Sequence, residues 1–410
     1  MKLVVVADDL TGAAELAGAA WARGLSACVA RRSPWPEGCD VLCVDTDTRD
    51  LPADEAGRIV GDVARALGRP VGVRFYKKVD SVLRGPVLAE LEAMRQALGR
   101  PCVLLLPANP SRGRVIRDGH YFIQDVPLDR TEFARDPRHP RASSDVCRLL
   151  GPQEGVNVVV RRPGQSLPEK GIVVADAGSE ADVEAWAGLW TETLLAAGGV
   201  DFFRALLDRW AAEEGKRPAR HGSAGTSRVC EERTGSGAAS GLRILMVSGT
   251  ASPQARAWRE ASERAGIPVV GLFDGGGSVG GGVGPGWEGK VAMCASALAR
   301  VGRMILFLGA IAAPGAPGSG PAGWVESLAR AAGLVWGRSK PDLLLLEGGA
   351  TAAAVLDGFP WGAWRAVREW APGVVELRGL ETDRPAVIVK PGSYPWPESI
   401  RELWFVGRRL

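Results

Sequence analysis

Short runs of apolar residues alternate with amphipathic stretches along the first half of the chain. The runs are rich in Val, Ile and Leu and predict buried strands, whereas the stretches between them carry an apolar face at helical spacing. The predicted strands are residues 2–7, 41–45, 71–77, 103–106 and 172–175, and the predicted helices are 12–23, 53–67, 86–98 and 180–197. Strands that alternate with helices are typical of a mostly parallel sheet flanked by helices.

The alternation breaks at residues 213–241, which are polar, rich in Gly and Ser, and without apolar periodicity. Such a composition is typical of a linker or a flexible loop. The alternation then resumes, with strands predicted at 243–247, 269–272, 304–308 and 343–346 and helices at 253–265, 290–301 and 323–335. The pattern therefore predicts two α/β domains, residues 1–212 and 242–410, joined by the linker or loop 213–241.

The composition agrees with two globular domains and limits the classes of partner. The 410 residues are 46% hydrophobic and 24% charged, which is ample apolar material for two cores. The net charge of +3 gives no reason to expect nucleic acid or an anionic membrane surface as a partner. A small-molecule ligand is the simpler expectation.

The location that the sequence indicates is the cytoplasm. No stretch approaches the roughly 20 apolar residues that span a bilayer. The first ten residues, MKLVVVADDL, lack the shape of a signal peptide. The seven cysteines are scattered and include no Cys-x-x-Cys, so neither zinc nor a disulfide framework is expected.

The first polar motif, ADDLTG, follows the first predicted strand directly. Ligands of open α/β sheets bind at the carboxyl ends of the strands, so Asp8 and Asp9 stand where chemistry is expected. Thr11 and Gly12 open the next helix, whose first backbone N–H groups suit an anion. Alternatively, Asp9 or Thr11 only caps the helix.

A second motif, KKVDSVLRG, also lies between a predicted strand and a predicted helix. Within seven residues it combines Lys78, Asp80, Ser81 and Arg84, so charges of both signs occur beside a hydroxyl group. This set could bind a carboxylate and hydroxyl groups together, with the Arg84 guanidinium as a bidentate donor. The alternative is a solvated surface turn.

A third motif, VDTDTRD, superficially suggests the aspartyl nucleophile of haloacid-dehalogenase phosphatases. That pattern needs Thr or Val at the position that Arg49 occupies here, so we discount it. Asp47 and Arg49 follow a predicted strand and could instead contact a small acid.

The segment 104–140 is polar, rich in proline, irregular and too long for an ordinary connection. A loop of this size in a compact domain is usually functional. Asn109 and Arg114 come soon after a predicted strand and are candidate binding residues. Aromatic residues further along are expected to pack and so hold the loop in place, namely Tyr121, Phe122 and Phe133.

Three strand ends in the second half are followed by turns rich in glycine and hydroxyl groups, in MVSGTASPQ, LLLLEGGATAAAVL and VIVKPGSYPWP. Backbone N–H groups and hydroxyls at such turns could hold phosphate, although each turn alone also fits an ordinary helix cap. There is no Walker-type GxxxxGK[ST], so three such turns suggest a nucleotide site of a less common design. The candidate residues are Ser248, Gly249, Ser252, Gly348, Gly349, Thr351, Lys390 and Gly392.

Taken together, these motifs resemble the four-carbon acid sugar kinase family. The segments ADDLTGA, KKVDSVLRG and GRVIRDGHYF…VPLDRTEFARDP resemble its motifs in order and approximate spacing, and the last is long enough to be specific. VSGTAS, EGGAT and VIVKPGSY resemble its nucleotide-binding half more loosely. The resemblance spans nearly the whole chain and is strongest over residues 1–140.

The resemblance implies phosphorylation of a terminal hydroxyl of threonate, erythronate or a 3-oxo-tetronate by ATP with Mg²⁺. It further implies that the first domain binds the acid sugar, the second binds ATP, and the active site lies in the cleft between them. The nucleotide contacts would be the eight turn residues, and no metal ligand is assigned. On the substrate side the resemblance carries over the residues of ADDLTG and KKVDSVLRG. With the candidates that follow other strands, the predicted substrate contacts are Asp9, Thr11, Asp47, Arg49, Ser81, Arg84, Asn109 and Arg114.

Within this scheme the catalytic residues are Asp8, Asp80 and Lys78. We expect Asp8, with Asp80 as second choice, to orient or deprotonate the attacking hydroxyl. Arg84 or Arg49 would bind the substrate carboxylate. Lys78 would offset charge that develops on the transferred group.

Two alternatives stay open beside the kinase. One is a degenerate protein that binds acid sugar or nucleotide without turnover, because Ala350 stands where the resembled family usually has an acidic residue. The other is a sugar-acid phosphatase with Asp8 as nucleophile. The expected partners are a small sugar acid and ATP, and a homo-oligomer is possible.

Overall fold

The chain divides into two compact units, each an α/β fold with a mostly parallel sheet, as the sequence predicts. The first unit comprises Met1–Arg31 and Pro36–His221, and the second Arg32–Trp35 and Gly222–Leu410. The predicted linker or loop falls almost wholly outside the described residues. The structure, a computed structural model, describes residues 2–31, 33–68, 72–136, 138–152, 154–213, 241–273, 287–309, 321–381 and 385–406.

The elements of the first unit agree with most of the predicted ones. Its helices are α1 (Leu10–Trp21), α2 (Ala53–Leu67), α3 (Val87–Ala97), α4 (Val146–Leu150), α5 (Glu180–Gly188) and α6 (Val200–Glu213). Its strands are β1 (Leu3–Ala7), β2 (Ala27–Ala30), β3 (Val41–Asp45), β4 (Arg74–Lys78), β5 (Cys102–Leu106), β6 (Arg114–Arg117), β7 (His120–Ile123), β8 (Val126–Pro127), β9 (Val158–Arg161), β10 (Gly171–Ala175) and β11 (Leu194–Gly198).

Eight of these strands form a parallel sheet in the order β2-β3-β1-β4-β11-β5-β10-β9. Strands β1, β3, β5 and β11 are buried along their whole length, as expected where helices cover both faces. Strand β1 pairs with β3 on one side and with β4 on the other. The strand order therefore reverses at β1, and ligands of open α/β sheets bind outside the strand ends at such a switch point.

The segment 104–140 is more regular than predicted, because it contains a small antiparallel sheet in the order β6-β7-β8. Both of its tight turns have residues with positive φ, Asp118 at 52° with Gly119 at 73° and Gln124 at 47° with Asp125 at 62°. Two central residues at positive φ match the twist of a two-residue hairpin. Strands of two to four residues are too short for their periodicity to be detected in the sequence.

The helix predicted at 180–197 is wrong in its second half. Helix α5 ends at Gly188, and residues 194–198 form β11 between β4 and β5. The β11 sequence LLAAG is rich in residues that prefer helices. Every residue of β11 is buried, so ladder pairing in the centre of the sheet overrides that local preference.

The second unit has a sheet in the order β13-β14-β12-β15-β18-β17-β16, whose first five strands are parallel. Strand β17 runs antiparallel to β18 and to β16. The strands are β12 (Ile244–Ser248), β13 (Val269–Gly271), β14 (Arg303–Phe307), β15 (Leu343–Glu347), β16 (Ala363–Ala371), β17 (Val374–Gly379) and β18 (Ala386–Lys390). The helices are α7 (Pro253–Arg264), α8 (Trp287–Val301), α9 (Pro321–Ser339), α10 (Gly349–Asp357) and α11 (Glu398–Phe405).

Aromatic packing holds α11 against α7 in the second unit. The Trp258 ring lies 6.3 Å from that of Trp404 and 5.5 Å from that of Phe405, between ring centroids. The Trp404 indole N–H donates to the Ser262 hydroxyl at 3.0 Å, so its polar atom is satisfied inside the core. Of the helices in the described ranges, none combines the length and the apolar character that crossing a membrane requires.

Gly198 ends β11 where a side chain has no room. Its φ is 150°, and a Cβ atom there would lie 2.0 Å from the carbonyl oxygen of Leu106 on β5. We expect Gly198→Ala to destabilise the first unit by about 2–4 kcal/mol, because the strand end must shift. Thermal unfolding measures the effect.

The matched control is Gly188→Ala at the end of α5, where the nearest atom is 3.9 Å away. The control should unfold close to the wild-type Tm, whereas Gly198→Ala should lower Tm by at least about 4 °C. Equal Tm values for the two variants would show that the close approach to Leu106 does not constrain this position.

Candidate functional site

The carboxyl ends of neighbouring strands bring most of the predicted substrate residues to one edge of the first sheet. Asp8 and Asp9 follow β1, Arg49 follows β3, and Asp80 follows β4. These strands are parallel neighbours, so their carboxyl ends lie at the same edge. The edge coincides with the switch point of the sheet.

Asp9 is the N-terminal cap of α1, and Thr11 in the first turn donates to it. The Gly12 backbone N–H donates to Asp9 Oδ1 at 2.8 Å, and the Thr11 hydroxyl donates to Asp9 Oδ2 at 2.6 Å. Burial by itself would raise the pKa of Asp9, but the charges of Arg49 and Lys78 and these hydrogen bonds bring it below its usual value. The cap therefore holds an ionised carboxylate at the edge of the site.

Arg49 joins three carboxylates of the site. Its Nε and Nη2 atoms donate to the two oxygens of Asp8 at 2.7 and 3.0 Å, and Nη1 donates to Asp9 Oδ2 at 2.9 Å. The same Nη1 lies 3.7 Å from Asp80 Oδ1. Gly85, at φ 84°, allows this placement, because a Cβ atom there would lie 2.7 Å from the Arg49 carbonyl oxygen.

A second bidentate pair stands beside the first. Arg84 donates through Nε and Nη2 to the two oxygens of Asp80 at 3.0 and 2.7 Å, and through Nη1 to Asp136 at 3.0 Å. Burial by itself would raise the pKa of Asp80, but the charges of Arg84 and Arg49 hold it well below its usual value. Asp80 is therefore an ionised, fixed hydrogen-bond acceptor.

Lys78 is the last residue of β4, and its buried ammonium group lies beside the start of α1. Its Nζ donates to the Val79 carbonyl at 2.9 Å and lies 3.8 Å from Glu15 Oε2. A Cβ atom on Gly12 would come within 3.3 Å of Nζ, so glycine leaves room for the ammonium. Arg112 lies 3.2 Å from the other Glu15 oxygen. The sequence analysis missed Glu15, although a carboxylate in an otherwise apolar helix is a signal.

A buried ion pair supports the cluster from the neighbouring helix α3. Lys77 and Glu90 are 0% and 1% exposed in their side chains and 2.8 Å apart. The Thr48 hydroxyl donates to Glu90, and the Thr48 backbone N–H donates to the Asp8 carbonyl at 3.0 Å. Burial raises the pKa of Glu90, although Lys77 opposes the rise. The pair thus steadies the loop that carries Arg49, and no local pattern identified Glu90.

Two predicted substrate residues have structural partners away from this cluster. Asn109 Oδ1 accepts from the backbone N–H of Asp201 at 3.1 Å and so orders the start of α6. The Asp47 carboxylate accepts from Arg31 at 2.9 Å, and its side chain is 62% exposed. The structure therefore does not bring Asp47 to the Arg49 cluster.

Ser81 and Arg114 meet beside the second bidentate pair. Arg114 Nη1 donates to the Ser81 hydroxyl, and both residues are half-buried. Ser81 belongs to the loop after β4, whereas Arg114 opens β6. The contact ties the small antiparallel sheet to the edge where the cluster lies.

The three glycine-rich turns of the second unit converge at the ends of β12, β15 and β18. A Cβ atom on Gly249 would lie 2.0 Å from Thr351 Oγ1, and one on Gly392 would lie 3.0 Å from Thr250 Oγ1. These short distances mean that the turns touch through their glycines. The second sheet thus forms a tight cradle of backbone and hydroxyl groups.

Two helices begin in this cradle. Ser252 caps α7, because its hydroxyl accepts from the Ala255 backbone N–H at 3.2 Å. Gly348, at φ 97°, precedes α10 and has no side chain that could cap it. The first N–H groups of a helix have no partner within the helix, so Gly349 and Thr351 present N–H groups that suit phosphate.

Lys390 is fully buried in the second unit. Its Nζ lies 2.7 Å from Glu347 Oε1 and donates to the carbonyls of Pro391 and Tyr394 at 2.9 and 2.5 Å. Ser248 donates to the other Glu347 oxygen at 2.6 Å. Burial lowers the pKa of Lys390, although Glu347 opposes this. Lys390 and Ser248 thus hold Glu347, a residue that the sequence analysis missed beside the more conspicuous glycines.

The arrangement in the first unit suits a small ligand that carries hydroxyl groups and negative charge. Carboxylates accept hydrogen bonds from hydroxyls, and guanidinium or ammonium groups donate to carboxylate or phosphate. Within the described ranges, no group of three or more His, Cys, Asp or Glu side chains could hold a metal ion. Fold and site together define an α/β protein whose polar cluster at the switch point suits a small polar ligand.

Comparison with known proteins identifies a related family. The family described as sugar-binding N-terminal domain matches residues 3–206, which contain the whole cluster around Arg49 and Arg84. The first unit is therefore similar to this family over those residues.

Relatives with assigned names agree with the resemblance to four-carbon acid sugar kinases. The D-threonate kinase of Bordetella bronchiseptica is 36% identical over 234 residues, which are 52% of this chain and 56% of that protein. The D-erythronate kinase of Heliobacterium modesticaldum is 31% identical over 205 residues, 45% of this chain and 46% of that protein. The 3-oxo-tetronate kinase of Escherichia coli is 25% identical over 54% of this chain and 63% of that protein. The chain spans about half the length of the curated relatives it matches.

Two solved structures share the fold over almost the whole chain. A Salmonella typhimurium protein described as a putative tRNA synthase has a TM-score of 0.72 and 19% identity, with 99% of each chain covered. A Haemophilus influenzae protein has a TM-score of 0.67 and 17% identity, with 98% of each chain covered. These likenesses confirm the α/β architecture.

Arg84→Met should destabilise the first unit by about 3 kcal/mol, because it leaves the Asp80 carboxylate buried without its bidentate partner. The pKa of Asp80 is depressed in the folded state, so the pair contributes its full stability above the unfolded pKa of roughly 3.9. That contribution is lost as the pH falls below this value. The Tm difference from wild type should be constant from about pH 8 to pH 5 and shrink below about pH 4.

Arg58→Met is the control for this variant. Arg58 forms an exposed ion pair with Asp62 on α2 at 3.3 Å, and its loss should cost less than about 0.5 kcal/mol at any pH. A Tm difference for Arg84→Met that grows on acidification would show that Asp80 does not depend on Arg84 for its charge.

Proposed function

We propose that the protein uses ATP to phosphorylate a terminal hydroxyl of a four-carbon sugar acid. The observation that carries the proposal is the cluster of Asp8, Arg49, Asp80, Arg84 and Lys78 at one edge of the first sheet. It lies within the segment that matches the sugar-binding family. Relatives named as kinases of D-threonate, D-erythronate and 3-oxo-tetronate support the substrate class.

The acid sugar is assigned to the first unit because the cluster offers acceptors for hydroxyl groups. Asp80 is ionised and held in place, because its Oδ2 atom accepts from the Val82 and Arg84 backbone N–H groups and from Arg84 Nε. Its Oδ1 atom accepts from Arg84 Nη2 and is the atom that can also accept from a substrate hydroxyl. Asp9 offers a second fixed carboxylate next to it, through the shared partner Arg49. Fixed acceptors lower the entropy cost of orienting a flexible polyol.

Asp8 is the residue that we assign to orient and deprotonate the attacking hydroxyl. Arg49 holds both of its oxygens, so the carboxylate has a fixed direction at the end of β1. Asp80 is a poor base, because its pKa lies well below its usual value. The Lys78 ammonium, beside the start of α1, offsets negative charge on the transferred phosphoryl group.

ATP is assigned to the second unit, where the three glycine-rich turns converge. The turns meet through Gly249 and Thr351, and the start of α10 has no side-chain cap, so backbone N–H groups there can donate to phosphate. Mg²⁺ bound with ATP would supply charge neutralisation for the phosphates and would take most of its ligands from phosphate and water. Lys390 contributes by fixing Glu347 and the turn after β18.

A phosphatase with Asp8 as nucleophile is the less favourable assignment. The three relatives compared above are named as kinases and not as phosphatases. The degenerate alternative predicts binding of an acid without turnover. Both alternatives give results that differ from those of a kinase in one assay.

The test is ATP consumption by the purified protein with Mg²⁺ across D- and L-threonate, D- and L-erythronate and their 3-oxo forms. We expect turnover with at least one acid and no release of phosphate from the corresponding acid phosphates when ATP is absent. Binding of an acid without ATP consumption would instead support the degenerate protein. Phosphate release without ATP would support the phosphatase.

Asp8→Asn should lower kcat by about 10²- to 10⁴-fold, because the variant cannot take a proton from the substrate hydroxyl. Its fold should persist, since Asn is isosteric and Arg49 keeps Asp9 as a partner. Steady-state kinetics and thermal unfolding measure the two effects. Asp62→Asn, at an exposed position on α2, is the control and should behave as wild type. Turnover of Asp8→Asn within threefold of the control would remove Asp8 from its assigned role.

A further inference from the structure

Arg114 and Tyr121 share one face of the small antiparallel sheet. Ile116 lies directly opposite Tyr121 in the β6–β7 pairing, and Arg114 is two residues before Ile116. Directly opposed residues, and residues two apart along a strand, point to the same side of a sheet. Ile116 and Tyr121 are fully buried, whereas Arg114 is half-buried at the margin of this face.

The charge of Arg114 is not matched by a carboxylate among the described residues. Its side chain donates to the Ser81 hydroxyl, and its guanidinium carbon lies 5.7 Å from the Phe133 ring centroid. Arg49 and Arg84, by contrast, each hold an aspartate through two donors. A half-buried cation without a counter-charge is poorly screened by water and gains from binding an anion.

Phe133 fixes Arg114 next to Arg84. The guanidinium carbon of Arg84 lies 5.8 Å from the same ring centroid, so one aromatic ring holds both cations. The donors of Arg84 are committed to Asp80 and Asp136. Of these two arginines, Arg114 is therefore the one whose charge is available to a ligand.

The Tyr121 hydroxyl is a second group in this region whose hydrogen bonding is incomplete. It is buried and has no hydrogen-bond partner within the part of the chain that the structure describes. Buried hydroxyls nearly always have one. Burial raises the pKa of Tyr121, and Arg114 and Asp80 both act on it electrostatically, so the hydroxyl lies near the cluster as a neutral O–H donor.

We propose that Arg114 binds the carboxylate of the acid sugar, with the Ser81 and Tyr121 hydroxyls as neighbouring groups and Phe133 as the residue that positions the guanidinium. The proposal rests on the proposed function, because it assumes that the first unit binds the acid. The sequence analysis expected Arg84 or Arg49 to bind the substrate carboxylate, and the proposal assigns that role to Arg114 instead.

The division of roles follows from the pairing of the arginines. Arg49 and Arg84 hold Asp8 and Asp80, the carboxylates that contact substrate hydroxyls. Arg114 then distinguishes an acid sugar from a neutral sugar of the same length. Selectivity for the acid therefore depends on the small sheet and not on the switch-point pairs.

The test is direct binding to the full chain without nucleotide. Isothermal titration calorimetry would compare D-threonate and D-erythronate with threitol and erythritol, which lack the carboxylate. Wild type should bind at least one acid more tightly than its tetritol. Arg114→Met should weaken that acid about 10- to 100-fold and leave tetritol binding unchanged, because it removes a charged hydrogen bond and keeps the apolar stem. Arg114→Lys, which retains the charge, should recover part of the affinity.

Arg117→Met is the matched control, because Arg117 lies on the same strand in an exposed ion pair with Asp125. It should bind both ligand classes as wild type does, and thermal unfolding should be alike in all variants. Undiminished acid binding by Arg114→Met would overturn the inference and leave the proposed function standing. Equal loss of acid and tetritol would show a purely structural role and overturn it too. If wild type binds none of the acids, the proposed function fails together with the inference.

Discussion

The burial of carboxylates at the strand ends is the constraint on which the first unit depends. Asp8 and Asp80 are 2% and 4% exposed, and a buried carboxylate is costly unless a cation and hydrogen bonds hold it. Arg49 and Arg84 meet this need through bidentate pairs. Arg49 comes from the loop after β3, binds Asp8 at the end of β1 and lies 3.7 Å from Asp80 in the loop after β4, so it links all three strand ends. The Arg84 pair holds the loop after β4 in shape. The same ion pairs therefore fix both the geometry of the site and the packing of its loops.

The second unit also has a buried carboxylate at a strand end that a cation and a hydroxyl group hold. Glu347 is buried at the end of β15, and Lys390 and Ser248 reach it from the ends of the two adjacent strands. Lys390, which the sequence indicated as a candidate ligand contact, is therefore engaged in an ion pair with Glu347. The backbone N–H groups beside the close-packed glycines at that edge remain available, and such groups suit phosphate. In the first unit, charged side chains gather at the strand ends instead, which agrees with the proposed division between acid sugar and ATP.

Much of the fold could be predicted because its strands and helices carry clear periods. Strand 41–45 and helix 53–67 begin and end where the pattern placed them. The hydrophobic pattern did not predict the element correctly where the segment was short or fitted both a helix and a strand. LLAAG became a strand because it pairs in the centre of the sheet, and β6 to β8 have too few residues for a period to be read. The candidate site was predicted in part, since ADDLTG and KKVDSVLRG do meet, whereas Glu15, Glu90 and Glu347 were missed.

The sequence by itself determined which residues follow the strand ends, because turn chemistry and strand periodicity are local properties. It therefore indicated Asp8, Asp80 and the glycine turns without knowledge of the sheet order. Only the tertiary structure decided the partners. It placed Asp47 on Arg31, and it gave Arg114 a hydroxyl and an aromatic ring in place of a carboxylate. Pairing depends on distances between segments far apart in the chain, and those distances are set by the strand order, which no local pattern encodes.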